Sequence, residues 1–172
     1  MNSSYVDTAA ITQIIGCVFN NAAILDDTDK YVIHEEDFVE DFHKIVFGSM
    51  YNIHLTGSQV NIDAIIDYLS NRPKFDAVFK KNKGVEYLLE ASQNARQDTF
   101  NYYYSRMKKF TLLRAYDSYG VDVRGLYDPD NLLDTKKRQQ QEDWLDANSL
   151  VDIANTIDTK IDEIKSKYIE DD

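Results

Sequence analysis

The chain has 172 residues, enough for one ordinary domain or a small domain with an appendage, and its 43% apolar share allows a buried core. Acids outnumber bases 30 to 19, and the formal charge of −11 excludes a basic surface that grips phosphates, so any contact with DNA is at most indirect. No run approaches a membrane span and no signal peptide opens the chain, which excludes a membrane partner and points to the cytoplasm. One cysteine, Cys17, permits no internal disulfide and reads as a small buried residue.

In chain order, Ile11, Ile14, Ile15, Val18 and Phe19 follow the spacing of a helix with one buried face, ending at Asn20-Asn21. A short segment, Ala22 to Leu25, precedes the acidic turn Asp26-Asp27-Thr28-Asp29. A third segment runs from about Val39 to Thr56, with Phe42, Ile45, Val46, Ser49, Met50 and Ile53 as its stripe and Gly57 as its C-terminal cap. Asn61 is placed to cap the next helix, whose apolar face is Ile62, Ile65, Ile66 and Leu69. Pro73 suits the first turn of a short helix ending near Lys80. After a loop at Lys81-Asn82-Lys83-Gly84 comes a helix with Val85, Tyr87, Leu88 and Leu89. No segment alternates as a strand does. The expected fold is all-α: a compact globular bundle of short helices over residues 1–97, then a long antiparallel helical hairpin over 98–172.

The hairpin consists of helices at 98–122 and 149–169, joined by a polar connection that contains the turn Asp128-Pro129-Asp130-Asn131 and a Lys- and Gln-rich stretch. Ser149 and Asp152 form a short version of a capping box. Leu150, Ile153, Ala154, Ile157, Ile161, Ile164 and Tyr168 alternate threes and fours, a seam for packing on another helix. The first helix carries Arg106, Lys108, Lys109 and Arg114, and the second Asp152, Asp158, Asp162, Glu163 and Glu170. Two arrangements fit that pattern: an antiparallel pair complementary in charge, within the chain or between two copies, or two amphipathic helices with ordinary solvated faces.

Chemistry is sparse. None of the six glycines forms a phosphate-cradling loop, and no Gly-Lys-Ser or Gly-Lys-Thr occurs, so no catalytic or cofactor-binding residue is assigned. His34-Glu35-Glu36-Asp37 lacks the second histidine of a zinc-protease motif, and His43 and His54 lie too far apart to share an ion, so these histidines read as surface or boundary residues. Asp26, Asp27 and Asp29 lack the glycine and closing glutamate of a calcium loop, so no metal is expected. Ser3-Ser4 and Ser118 have no base nearby in sequence. Tyr102-Tyr103-Tyr104 beside Arg106 could stack bases, but consecutive tyrosines on a helix point in three directions, and packing is the better reading.

The order of these segments resembles the amino-terminal domain of DnaB-type replicative helicases. Ile14-Ile15-Gly16-Cys17-Val18-Phe19-Asn20-Asn21 looks like that family's opening helix, and Glu35-Glu36-Asp37-Phe38 is similar to its Pro-Glu-Asp-Phe segment with glutamate in place of proline. Phe42-His43-Lys44-Ile45-Val46-Phe47 resembles its His-Arg-x-Ile-Phe helix. Gly57, Val60-Asn61-Ile62-Asp63 and Leu69 fit its glycine, Pro-Ile-Asp and leucine pattern, without the proline. Tyr87-Leu88-Leu89 looks like its Tyr-Leu helix. Tyr103-Tyr104-Ser105-Arg106-Met107-Lys108-Lys109 with Leu112-Leu113-Arg114 look like the first hairpin helix, and residues 149–169 like the returning one. Residues 121–148 depart from the pattern.

The resemblance implies a collar on a helicase hexamer, often three dimers joined through the hairpins, that also docks primase and, in some systems, a helicase loader. The implied partners are therefore self, primase and loader. ATP and Mg would belong to a separate RecA-like motor after a linker, making the parent an ATP-dependent DNA helicase. Asp172 falls near where that linker would begin, which reads the chain as an excised fragment or a naturally short relative. The expected self-association residues are Tyr103, Met107, Phe110, Leu113, Ile157, Ile161, Ile164 and Tyr168. The rival readings are the helicase-binding carboxy-terminal domain of a DnaG-type primase and a stand-alone adaptor, such as a phage-encoded one acting in its host's cytoplasm, that loads or inhibits a helicase. An independent metal or serine enzyme is a third, which no constellation supports.

Overall fold

A computed structural model describes residues 4–169, and all regular structure among them is helical. Ser3 and Glu170, singled out above, lie outside the described residues. The chain divides into two compact units, one ending at Met107 and the other starting at Lys108. The globular unit was expected to close ten residues earlier, at 97. The shift reflects the first two turns of the long helix, where Phe100 and Met107 are buried in the core of the first unit.

The first unit holds α1 (Thr8–Asn20), α2 (Asp41–Leu55), α3 (Ile62–Ser70), α4 (Pro73–Lys81) and α5 (Gly84–Asn94), with single 3-10 turns at Ala22–Asp26, Glu35–Asp37 and Gln97–Thr99. Local chemistry sets the starts. Asp7 accepts from Ala10 N at 3.0 Å and Asn61 from Ala64 N at 2.8 Å, each satisfying a donor that the first helical turn leaves open. Pro73 occupies the first turn of α4, where its missing N–H is no loss. At the far end of α2 the chain turns on Gly57 at φ 80°, as the sequence leads one to expect.

α1 is the central helix. Ile11, Ile14, Ile15, Cys17 and Val18 are all buried, so its apolar face is wider than one stripe. It lies against α5 so closely that a Cβ on Gly16 would stand 2.3 Å from the Ala91 carbonyl oxygen. Side-chain bonds fasten the same pair, Asn20 Nδ2 donating to Ser92 O at 2.9 Å and Gln13 Nε2 to Asn94 O at 3.1 Å, and Gln97 Nε2 in the turn after α5 donates to Cys17 O at 2.9 Å. Asp7, besides capping α1, pairs with Arg106, and both side chains are largely buried.

α6 (Phe100–Ser118) runs from the first unit into the second, which also contains α7 (Thr135–Ala147) and α8 (Leu150–Tyr168). Here the polar connection expected at 121–148 is partly helical. Asp134 caps α7 by accepting from Lys137 N at 3.0 Å. Lys109 Nζ, itself buried, donates to Leu145 O at 2.7 Å, and Gln141 both accepts from Asp128 N at 2.9 Å and donates to Asp128 O at 3.1 Å. The return from α6 is therefore made in two helices, α7 and α8, separated by the extended residues Asn148 and Ser149. The capping box of α8 is present as expected: Asp152 N donates to Ser149 Oγ, and Ser149 N to the Asp152 carboxylate.

Candidate interaction surfaces

Among the described residues, two apolar surfaces stand out, one on each unit. In α8 the seam changes character along its length. Ile153 and Ile157 are fully buried, Ile161 is half-buried, and Ile164 and Tyr168 are 59% and 70% exposed. The four positions from Ile157 onward keep the three-four spacing, so one continuous stripe passes from covered to uncovered within a single helix.

The second surface is a groove of about 660 Å³ in the first unit. Segment 33–38 forms one wall, the outer face of α2 the floor, and α3 with α4 the other wall. Phe38, Phe47, Tyr51, Phe75 and Val78 supply its apolar lining, and Glu35, Asp41, Lys44 and Lys74 its charges. Gly48 lies on the floor, where an added Cβ would meet nothing within 4 Å. Sequence reasoning missed this groove because three separate elements enclose it. Its one signal was a glycine in mid-helix with no packing reason to be there.

The residues expected to mediate self-association fall into two groups. Met107, Phe110, Leu113 and Ile157 are buried within the chain itself, with Phe110 edge-on to Tyr127 at 5.1 Å between ring centres. Tyr103 is half-buried and packs against the core of the first unit. Ile164 and Tyr168 are exposed, and Ile161 and Tyr103 partly so. Periodicity identified an apolar face in each helix, but half of what it identified is used internally.

The tyrosine run splits as the helical geometry requires. Tyr102 is exposed, whereas Tyr103 and Tyr104 are half-buried. The Tyr104 hydroxyl accepts from Val32 N at 2.8 Å and donates to Val32 O at 3.1 Å, holding the segment after Tyr31 in place. His43, expected at the surface or its boundary, is buried beside Phe42 and Tyr87. Burial pushes its pKa below the ordinary 6.5, opposed by the Glu40 carboxylate 3.3 Å from Nδ1. Burial also raises the Tyr87 phenol, against a 2.8 Å hydrogen bond with Thr12. His54 pairs with Asp26 at 2.7 Å, which occupies part of the acidic turn. Among the described residues no three His, Cys, Asp or Glu side chains gather as a metal site, and no helix is long and apolar enough to cross a membrane.

These features meet known proteins at one point. Residues 6–109 match the family described as the DnaB-like helicase N terminal domain. The chain belongs to that family. The match spans the first unit and the opening of α6, and it stops before α7. Over 163 residues the chain is also 36% identical to the SPbeta prophage-derived uncharacterized protein YorI of Bacillus subtilis (strain 168), covering 94% of this chain and 32% of that protein. It thus spans about a third of the relative's length. Among solved structures it resembles the N-terminal domain of DnaB helicase from Mycobacterium tuberculosis, with a TM-score of 0.58 and 20% identity, over 83% of this chain and 99% of that one. The all-helical fold expected from the DnaB-like segment order is therefore the fold observed.

Proposed function

We propose that this DnaB-like domain is the assembly collar of a replicative DNA helicase: it self-associates through the open end of the α8 stripe and offers a docking platform for primase or a helicase loader. ATP-dependent unwinding would then be the task of a motor domain outside this chain. The family match supports the helicase assignment, and the description of the solved domain names a DnaB helicase. The observation that carries self-association is the stripe itself. Ile164 and Tyr168 continue a line that is buried at Ile153 and Ile157 and half-buried at Ile161, and water is a poor neighbour for them. Pairing the same stripe from two copies buries both ends at once, the self-complementary solution that two-fold symmetry favours.

Sedimentation velocity tests the reading. The wild-type chain should show a concentration-dependent dimer, and I164D/Y168D should weaken it by at least tenfold, since central apolar anchors commonly contribute about 1–4 kcal/mol each. Ile164 and Tyr168 are exposed, so the helix content of the variant should be unchanged. Undiminished dimer in that variant would remove α8 from the interface. Primase and loader docking is tested separately, by titrating the labelled chain with a purified DnaG-type primase and with a purified helicase loader; absence of binding to either would leave assembly alone.

A further inference from the structure

A chain that pairs through one self-complementary stripe stops at a dimer, and a larger closed ring needs a second contact of a different kind on every copy. The inference drawn here rests on the self-association proposed above and concerns that second contact. One half of it is the corner before α7. Leu132 and Leu133 are 73% and 94% exposed, yet the backbone around them is held by hydrogen bonds. Asn131 Nδ2 donates to Asp134 O at 3.1 Å, Asp134 N returns a bond to Asn131 Oδ1 at 3.3 Å, and the Arg138 guanidinium donates to the carbonyls of Asn131 and Leu132. Leucines presented on a pinned turn lose little freedom on docking. Behind them stand Lys136, Lys137 and Arg138, three consecutive exposed cations. They occupy the first turn of α7, where the helix dipole disfavours positive charge. Within the chain Lys137 Nζ lies 3.6 Å from Asp128 and the Arg138 guanidinium holds the turn, yet all three side chains stay exposed.

The other half is the groove of the first unit. Its wall and the adjoining start of α2 carry Glu35, Glu36, Glu40 and Asp41, all exposed, with Glu40 engaged by His43. Lys44 and Lys74 lie on the floor and the opposite wall, so the groove is acidic along one side only. Gly48 opens the floor between Phe47 and Tyr51 at a position where the packing of α2 would accept a side chain.

We propose that Leu132 and Leu133 of one copy seat in the groove over Gly48 of a second copy, with Lys136, Lys137 and Arg138 facing its Glu35, Glu36 and Asp41. Charge complementarity favours a second copy as the occupant: three consecutive exposed cations and the acidic wall that complements them are on the same chain. Contact of corner to groove is head-to-tail, so each copy uses both halves and successive copies can close a ring. The corner lies beyond residues 6–109, the portion matched by the DnaB-like family.

Charge reversal tests this by sedimentation velocity on the whole chain. The wild type should form species larger than a dimer that diminish as salt rises. K136E/K137E/R138E and E35K/E36K/D41K should each reduce those species at least tenfold while keeping the α8 dimer. An equal mixture of the two variants should restore them, because every corner then faces a wall of opposite charge. Gly48→Trp, which fills the floor without changing charge, should also abolish them. The proposal is overturned if the wild type never exceeds a dimer, if the larger species survive both reversals, or if the mixture fails to restore them. I164D/Y168D separates the two readings: loss of the dimer with a surviving corner contact leaves this inference standing, whereas an intact dimer in that variant counts against α8 alone.

Discussion

Gly16 and Gly48 are both mid-helix glycines, and their surroundings give them opposite meanings. At Gly16 the backbone of α5 occupies the space a side chain would need, with Ala91 O 2.3 Å from an ideal Cβ. Gly16→Ala must push α1 and α5 apart and should destabilise the chain by about 1–3 kcal/mol, read as a lower urea midpoint with an unchanged slope. At Gly48 nothing stands within 4 Å, so Gly48→Ala should stabilise by about 0.4–1 kcal/mol through the entropy of the unfolded chain. A stabilising effect at Gly16 would mean that the helix pair is looser than its hydrogen bonds imply. His43 adds a dependence on pH. Its folded pKa lies below the ordinary 6.5, so protons bind the unfolded chain more readily than the folded one. Its contribution is complete above about pH 6.5 and is lost as pH falls through that value toward the depressed folded one. His43→Gln should flatten the stability profile in that window. Glu40→Gln, which removes the one charge favouring the imidazolium, should steepen it.

The elements differ in how plainly they are written in the sequence. α3 and α8 announce themselves through period and cap together, Asn61 and Ser149 each accepting the bond their positions predict, whereas α1 announces itself by period and its cap, Asp7, emerges in the structure. α7 gives no such signal, because its buried residues are Gln141 and Leu145 and, apart from Trp144 and the small residues at its two ends, the rest is Lys, Arg, Gln and acid. Good helix propensity and the Asp134 cap suffice to form it, but no apolar stripe reveals where it docks. Beside the buried Leu145, polar bonds fasten α7, with Gln141 clamping both backbone groups of Asp128 and Tyr127 bonded to Glu142. Gln141→Ala should therefore cost about 1–3 kcal/mol by stranding those groups, an effect expected of a core residue and visible in urea unfolding. A value near zero would mean that water replaces the amide freely. The interface suffers from the converse ambiguity. An apolar face is legible at Phe110, Leu113 and Ile157, but whether the chain or a second copy covers it depends on long-range packing that no local pattern encodes.

For the whole molecule, charge and the placement of the aromatics decide what the domain does with DNA. A stacking platform needs bases to reach ring faces along a positive groove. Tyr103 and Tyr104 are instead committed to packing, and Tyr104 spends its hydroxyl on Val32. Of the cations on α6, Arg106 is paired with Asp7 and Lys109 is buried on Leu145 O. Of the tyrosine run Tyr102 alone is exposed, and the exposed cations, those at 136–138 among them, are set in a chain of net charge −11. Three exposed cations release few counterions, and the surrounding acid repels the phosphates that would approach them. Fluorescence anisotropy with a labelled single strand should therefore give a Kd weaker than about 10⁻⁴ M at physiological salt, the weak end of non-specific binding. Tyr102→Ala should leave that value unchanged. Tighter binding that falls steeply with salt would place the corner on DNA, and loss of that binding in K136E/K137E/R138E would take the same three cations away from the groove of a second copy.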